Sequence, residues 1–256
     1  MLNLIKMNLY RLFKTRVFYV MLLITVIGAG LLSGLETSGE VTSEASFEHL
    51  YADFAASGHI LIMVGVFGIV FSEEERKSGF LKNLLTTHKE KKNIYAAKIP
   101  VVFLYSLVMF LGSLIACRLG SFVWGAGTYP VHSVGSLIRF ITFEVILHTV
   151  FGIAMMTLYE ITRNTIIPVI ITVFGAANLH GMLFYALEGK LVSMWPSLKG
   201  FMEKYALSSN FIVTKAKDLG NIEMSFSYVN IIVVIVIGLI FYSVIGMCIF
   251  TKRDTI

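Results

Sequence analysis

The stretch FSEEERKSGFLKNLL, Phe71 to Leu85, decides how the rest of the chain is read. Three glutamates and three basic residues interrupt a sequence that is 56% hydrophobic and only 14% charged. Soluble domains carry about 25% charged residues, so a mean hydropathy of +0.79 excludes an ordinary soluble fold. The segment lies between two long apolar runs. It is therefore a polar loop of a membrane protein, and its own content needs an explanation.

Working outward, six runs approach the roughly 20 apolar residues that cross a hydrocarbon core about 30 Å thick. They are Val17–Leu35, Phe54–Phe71, Ile99–Leu119, Leu137–Tyr159, Thr165–Leu187 and Tyr228–Phe250. No run shows strand periodicity, and an open strand edge cannot face lipid. The predicted fold is all-α: one six-span domain over residues 1–256. The first run follows Lys6, Arg11, Lys14 and Arg16. It exceeds the roughly 7–15 residues of a signal-peptide core, so it reads as a retained span.

Charge orients the spans. Residues 1–16 hold four bases and residues 72–98 hold seven, whereas Glu36–Asp53 holds five acids and neither Lys nor Arg. The positive-inside rule then places both termini and the 72–98 loop in the cytoplasm. The loop at 188–227 falls outside, its five lysines a mild exception that long loops tolerate. The net charge of +5 is accounted for by this asymmetry and does not require a nucleic-acid partner. Cys117 and Cys248 fall near opposite faces, too far apart for the Cα separation of about 7 Å that a disulfide allows.

Two segments read as helices at the membrane surface. In residues 1–16, Leu2, Ile5, Leu9, Leu12 and Phe13 share a helical face opposite Asn3, Tyr10, Arg11 and Lys14. That is the pattern of an interfacial helix with bases toward anionic headgroups. In the 188–227 loop, Pro196 suits a helix start, and Leu198, Phe201, Met202 and Tyr205 follow at helical spacing. The predicted element is an amphipathic helix resting on the outer leaflet or dipping into it.

In the opening stretch, Phe80, Leu81, Leu84 and Leu85 form a short apolar stripe after Glu75 and Gly79. His88, Lys89, Lys91, Lys92 and Lys98 follow. The bland reading is a solvated loop whose leucines touch headgroups; the sharper one is a docking helix for a cytoplasmic partner. An interfacial basic N-terminus, six spans, and Glu75, Gly79, Leu81, Lys82, Leu84, Leu85 and Lys98 in this order together resemble the ABC-2 type transporter permeases. The resemblance implies that this segment is a coupling helix seated on a separate ATP-hydrolysing subunit. ATP and magnesium would be cofactors of that partner and not of this chain. It also implies a second permease copy or homologue and a multi-pass location in a bacterial cell membrane. Small size and short outer loops resemble the subgroup that exports bacteriocins, lantibiotics or other membrane-active peptides. The function implied is ATP-driven export of an amphipathic or peptide-like substrate. The chain has no G-x-x-x-x-G-K-[ST] phosphate loop, so ATP chemistry is expected in the partner.

Polar groups inside spans mark function or a pair by default. Glu144 and His148 are i, i+4 neighbours in the fourth span. Asn178 and His180 fall in the outer half of the fifth, and His59 near the outer end of the second. Arg118 and Arg139 flank the outer turn and can snorkel toward Glu144. The cluster reads either as an outer gate or as a structural clasp, with the clasp favoured. No ligand spacing supports a metal site. Gly30 and Gly34 form a GxxxG run, a weak sign of close helix approach. Two other functions compete with transport. An intramembrane protease of the CAAX-processing type needs Glu-Glu-x-x-x-Arg, and Ser78 stands where the arginine belongs. An immunity membrane protein without an ATPase is the remaining alternative.

Overall fold

A computed structural model describes residues 1–37, 47–56, 58–80, 91–123, 133–210, 212–219 and 228–253. Its regular elements are helical: α1 (Leu2–Lys14), α2 (Arg16–Thr37), α3 (Phe47–Ala56), α4 (His59–Lys77), α5 (Lys91–Ala96), α6 (Ile99–Val123), α7 (Val134–Thr162), α8 (Ile166–Ala176) and α9 (Leu179–Met194). A 3-10 turn over Pro196–Leu198 leads to α10 (Lys199–Tyr205), α11 (Leu207–Asn210), α12 (Ile212–Leu219) and α13 (Tyr228–Arg253). Among the described residues there is no strand.

Four helical stretches are long and apolar enough to cross a membrane: Arg16–Gly34, Lys91–Val123, Val134–Thr162 and Val229–Lys252. A fifth arises if α8 and α9, bent by 73° against each other, count as one span. The two expected runs outside the clear set are each broken. The run expected over Phe54–Phe71 is interrupted at Gly58, whose φ is +82°. The carbonyl oxygen of Ala176 lies 2.6 Å from where a Cβ would stand, so both backbone sign and space demand glycine there. The apolar part that remains, 59–71, is only about 20 Å long at 1.5 Å per residue. The run expected over Thr165–Leu187 breaks at Asn178, at φ +58°. Asparagine is among the few side chains that enter this left-handed region readily.

α7 is the axis of the bundle. It packs against α4, α13, α6 and α12, and Val145, Leu147, Val150, Phe151, Ile153 and Met156 are buried along it. Glycines set the closest crossings. A Cβ on Gly68 of α4 would stand 2.7 Å from the carbonyl oxygen of Gly152 on α7. A Cβ on Gly120 of α6 would meet the carbonyl oxygen of Gly30 on α2 at 2.6 Å. The Gly30 end of the GxxxG run is thus a contact within the chain.

α1 packs differently from its expected stripe. Leu4, Asn8 and Leu12 face the bundle, while Leu2 and Phe13 are exposed with Tyr10. Buried Asn8 accepts a hydrogen bond from Arg11 at 3.3 Å, and Arg11 also reaches Glu75 of α4 at 3.4 Å, so the bundle-facing side of α1 is partly polar. In the 196–219 region the helix expected from Pro196 forms. Phe201 and Tyr205 are exposed, with ring centroids 5.1 Å apart. The following α12 enters the bundle, burying Ile212 and Ala216 against α7, α3 and α13.

A buried charge network beside the candidate coupling segment

The acidic run of the opening stretch ends α4, and only one of its three glutamates is fully buried. Glu75 has 0% exposure. Its neighbours diverge because consecutive helical residues are 100° apart. Glu73 pairs with exposed Lys77 at 2.8 Å. Hydrogen bonds from Lys77 and Thr165 hold the Glu73 carboxyl below its ordinary pKa.

Glu75 meets Lys98, which is 1% exposed, in a close ion pair, and its other oxygen lies 3.4 Å from Arg11. The Lys98 ammonium also lies 3.6 Å from Glu160, the second fully buried carboxylate. Glu160 receives Arg76 at 2.6 Å and Arg163 at 3.6 Å. Four basic side chains, Arg11 of α1, Arg76 of α4, Lys98 just before α6 and Arg163 just after α7, thus converge on two carboxylates. Burying isolated ions costs several kcal/mol each, on the order of what good pairing returns. The network is therefore weak evidence for net stability, although it ties these helix ends together.

Aromatic faces complete it. Arg11 lies 4.8 Å from the Phe71 ring centroid and 4.5 Å from that of Phe80. Lys98 lies 5.1 Å from that of Phe250 on α13. Burial lowers the pKa of Arg11, and Glu75 and Glu74 oppose that shift. An arginine remains charged under such opposition. Beneath the network, Tyr95 of α5 is 2.7 Å from Thr157 of α7. The Thr157 hydroxyl donates toward the carbonyls of Ile153 and Tyr242, so Tyr95 is the donor in that contact. Gly246 of α13 leaves the space the Tyr95 hydroxyl occupies.

Of the residues expected in the coupling segment, Glu75 is in this network. Gly79 takes φ +70°, and Phe80 packs on Arg11. Leu81, Lys82, Leu84 and Leu85 lie outside the described residues. Sequence reasoning marked Lys98 but missed Glu160. The available signal was an acid at the end of an apolar run, three residues before Arg163.

The second expected cluster divides. Glu144 and His148 are together and buried, with Nδ1 of His148 3.1 Å from the Glu144 carboxylate. The same Nδ1 is 2.9 Å from the Glu144 carbonyl, which takes the better-aligned hydrogen bond. The carboxylate lies close to the ring without a well-aligned hydrogen bond. Neither arginine pairs with it. Arg118 lies over the Phe47 ring at 5.0 Å, and Arg139 bonds Gly135 and Ser136 of its own helix. His59 borders Gly28 and Phe54. Asn178 accepts from Thr214 at 3.5 Å. His180 is the second residue of α9, and its side chain lies outside the described residues. Tyr51 of α3, which sequence reasoning passed over, bonds the Phe110 carbonyl at 2.8 Å and packs edge-on to Phe140, one turn before Glu144. Among the described residues no three His, Cys, Asp or Glu converge as a metal site.

A multi-pass helical bundle whose helix ends are tied by buried charge beside a polar loop defines the class: a polytopic membrane protein. The family model for the ABC-2 family transporter proteins matches residues 4–178, and the chain belongs to that family. It is a membrane subunit of an ABC transporter, a family that works with ABC ATPase partners. A comparison with curated proteins finds no match.

Proposed function

We propose that this chain is the permease of an exporter energised by a separate ATPase chain, and that Phe80–Leu85 is its coupling helix. The observation that carries the reading is the network around Glu75 and Glu160. It lies directly before Phe80 and after the return of the chain at Lys91. A push on this segment reaches α1 through Arg11, α6 through Lys98 and α7 through Glu160. Rigid ties of this kind let a docking event move several helices as a unit.

In this reading both termini face the cytoplasm, six segments enter the membrane and α4 is the short second span. α1 lies in the interface with Leu2, Tyr10 and Phe13 toward lipid. The substrate is amphipathic or peptide-like, and export of a membrane-active peptide is the narrower form of the proposal. Two permeases, identical or homologous, work with two ATPase chains.

The test replaces Leu84 and Leu85 together with serine. Each leucine buried in a groove contributes roughly 1.5–3 kcal/mol. The expected result is normal insertion and loss of ATPase co-purification from cells producing both chains. A double variant that retains its ATPase at wild-type yield overturns the coupling assignment.

A further inference from the structure

α12 sinks between α7 and α13 at Gly238, where a Cβ would meet Val150 at 2.8 Å and Ile212 at 3.3 Å. Beside it two cavities open on the flank of the bundle. One, about 490 Å³, runs past Asn210, Asn230, Val234 and Gly238. The other, about 270 Å³, continues past Met155, Ile161 and Ile245. Ile212, Phe241 and Tyr242 border both, so the two cavities adjoin as a groove along this flank.

We propose that this groove holds one acyl chain of a bilayer phospholipid. The proposal rests on the membrane placement of the bundle, and not on the coupling assignment. Three features select that occupant. The groove borders the apolar face of α13, where Val233, Ile237 and Phe241 are exposed, so hydrocarbon is the medium in contact with it. Fifteen residues separate Asn230 from Ile245, roughly 22 Å of helix at 1.5 Å per residue. That exceeds one leaflet's share of a hydrocarbon core about 30 Å thick, so a chain fits along its whole length. Polarity is graded: Tyr205, Asn210 and Asn230 gather at one end, and the opposite end is apolar apart from Thr157. Amide and phenol groups suit the ester and phosphate region of a lipid. Among the described residues no charged side chain lines either cavity, which suits a hydrocarbon chain.

The experiment uses the full chain in phosphatidylcholine nanodiscs containing phosphatidylcholine with a diazirine on one acyl chain, followed by peptide mapping after photolysis. Labelling of Ile212, Val234 and Phe241 is expected to exceed that of the exposed α2 face (Leu23, Ile27) several-fold. Val233→Trp, at an exposed position of the lining, is expected to abolish the excess. Val234→Phe, a milder filling, reduces it if the tryptophan variant does not fold. Equal labelling of the groove and α2 means an ordinary lipid annulus and overturns the proposal. So does labelling by a single-chain diazirine fatty acid but not by the phospholipid, which assigns the groove to a non-bilayer ligand. Leu84→Ser/Leu85→Ser leaves the labelling unchanged, so failure of the coupling assignment and failure of this one are separable.

Discussion

Lys98 shows how much one side chain decides here. At 1% exposure its ammonium faces two carboxylates that are themselves fully buried. Breaking a buried pair by removing one partner costs about 3–5 kcal/mol, because the remaining charge stays desolvated. Lys98→Met is therefore expected to lower thermal stability strongly in detergent. The double variant Glu75→Gln/Lys98→Met is expected to lose less than the sum of the single variants. Additive losses, measured by a double-mutant cycle, would show that the two residues do not act as a pair. Glu144 is the opposite case. Its carboxylate lies 3.1 Å from Nδ1 of His148 and has no well-aligned hydrogen bond. Ionisable groups at a span centre are unfavourable by about 2.5–3.5 kcal/mol. Glu144→Gln, which keeps the volume, is expected to match the wild type in yield and monodispersity. A collapse in yield would mean that the carboxylate charge holds the fold together.

Among the helices, the tightest joint is the crossing of α4 and α7. Gly68 and Gly152 bring two backbones together, and Val64 and Val102 close over Gly152. Overpacking of such a site costs about 1–3 kcal/mol and more where backbone must move. Gly68→Leu is expected to be more destabilising than Gly135→Leu, because nothing lies within 4 Å of a Cβ at Gly135. Thermal melts of the two variants in the same detergent compare them directly. Similar midpoints would remove the α4–α7 crossing from the account. Helix breaks follow the same local logic. Gly58 and Asn178 both hold positive φ, and each ends an apolar run that hydropathy alone reads as continuous.

For the whole molecule, the distribution of charge predicts orientation. Residues 1–16 and 72–98 carry the excess of bases, and residues 36–53 carry acids. An introduced cysteine at Lys89 is expected to resist a membrane-impermeant maleimide in intact cells and react after permeabilisation. One at Glu44 is expected to react in both. Reaction at Lys89 from outside would invert the topology and remove the basis for a cytoplasmic coupling segment.

Composition and apolar run length determined, without coordinates, that the chain is helical and membrane-embedded. Both are set by the bilayer, which admits only long apolar helices or closed barrels. The basic N-terminus, the apolar runs and the order of Glu75, Gly79, Leu81, Lys82, Leu84, Leu85 and Lys98 together carried the family resemblance, and the match over residues 4–178 agrees with it. Tertiary structure alone decided which charges meet. Glu75 and Lys98 are 23 positions apart, and Glu160 comes from a different helix, so no local period links them. Packing likewise brought Tyr51 close to the Phe140 turn before Glu144, and carried Arg118 and Arg139 elsewhere. It also drew α12 into the bundle at Gly238. Periodicity reports which face of a helix is apolar; which neighbour covers that face depends on contacts between residues distant in sequence.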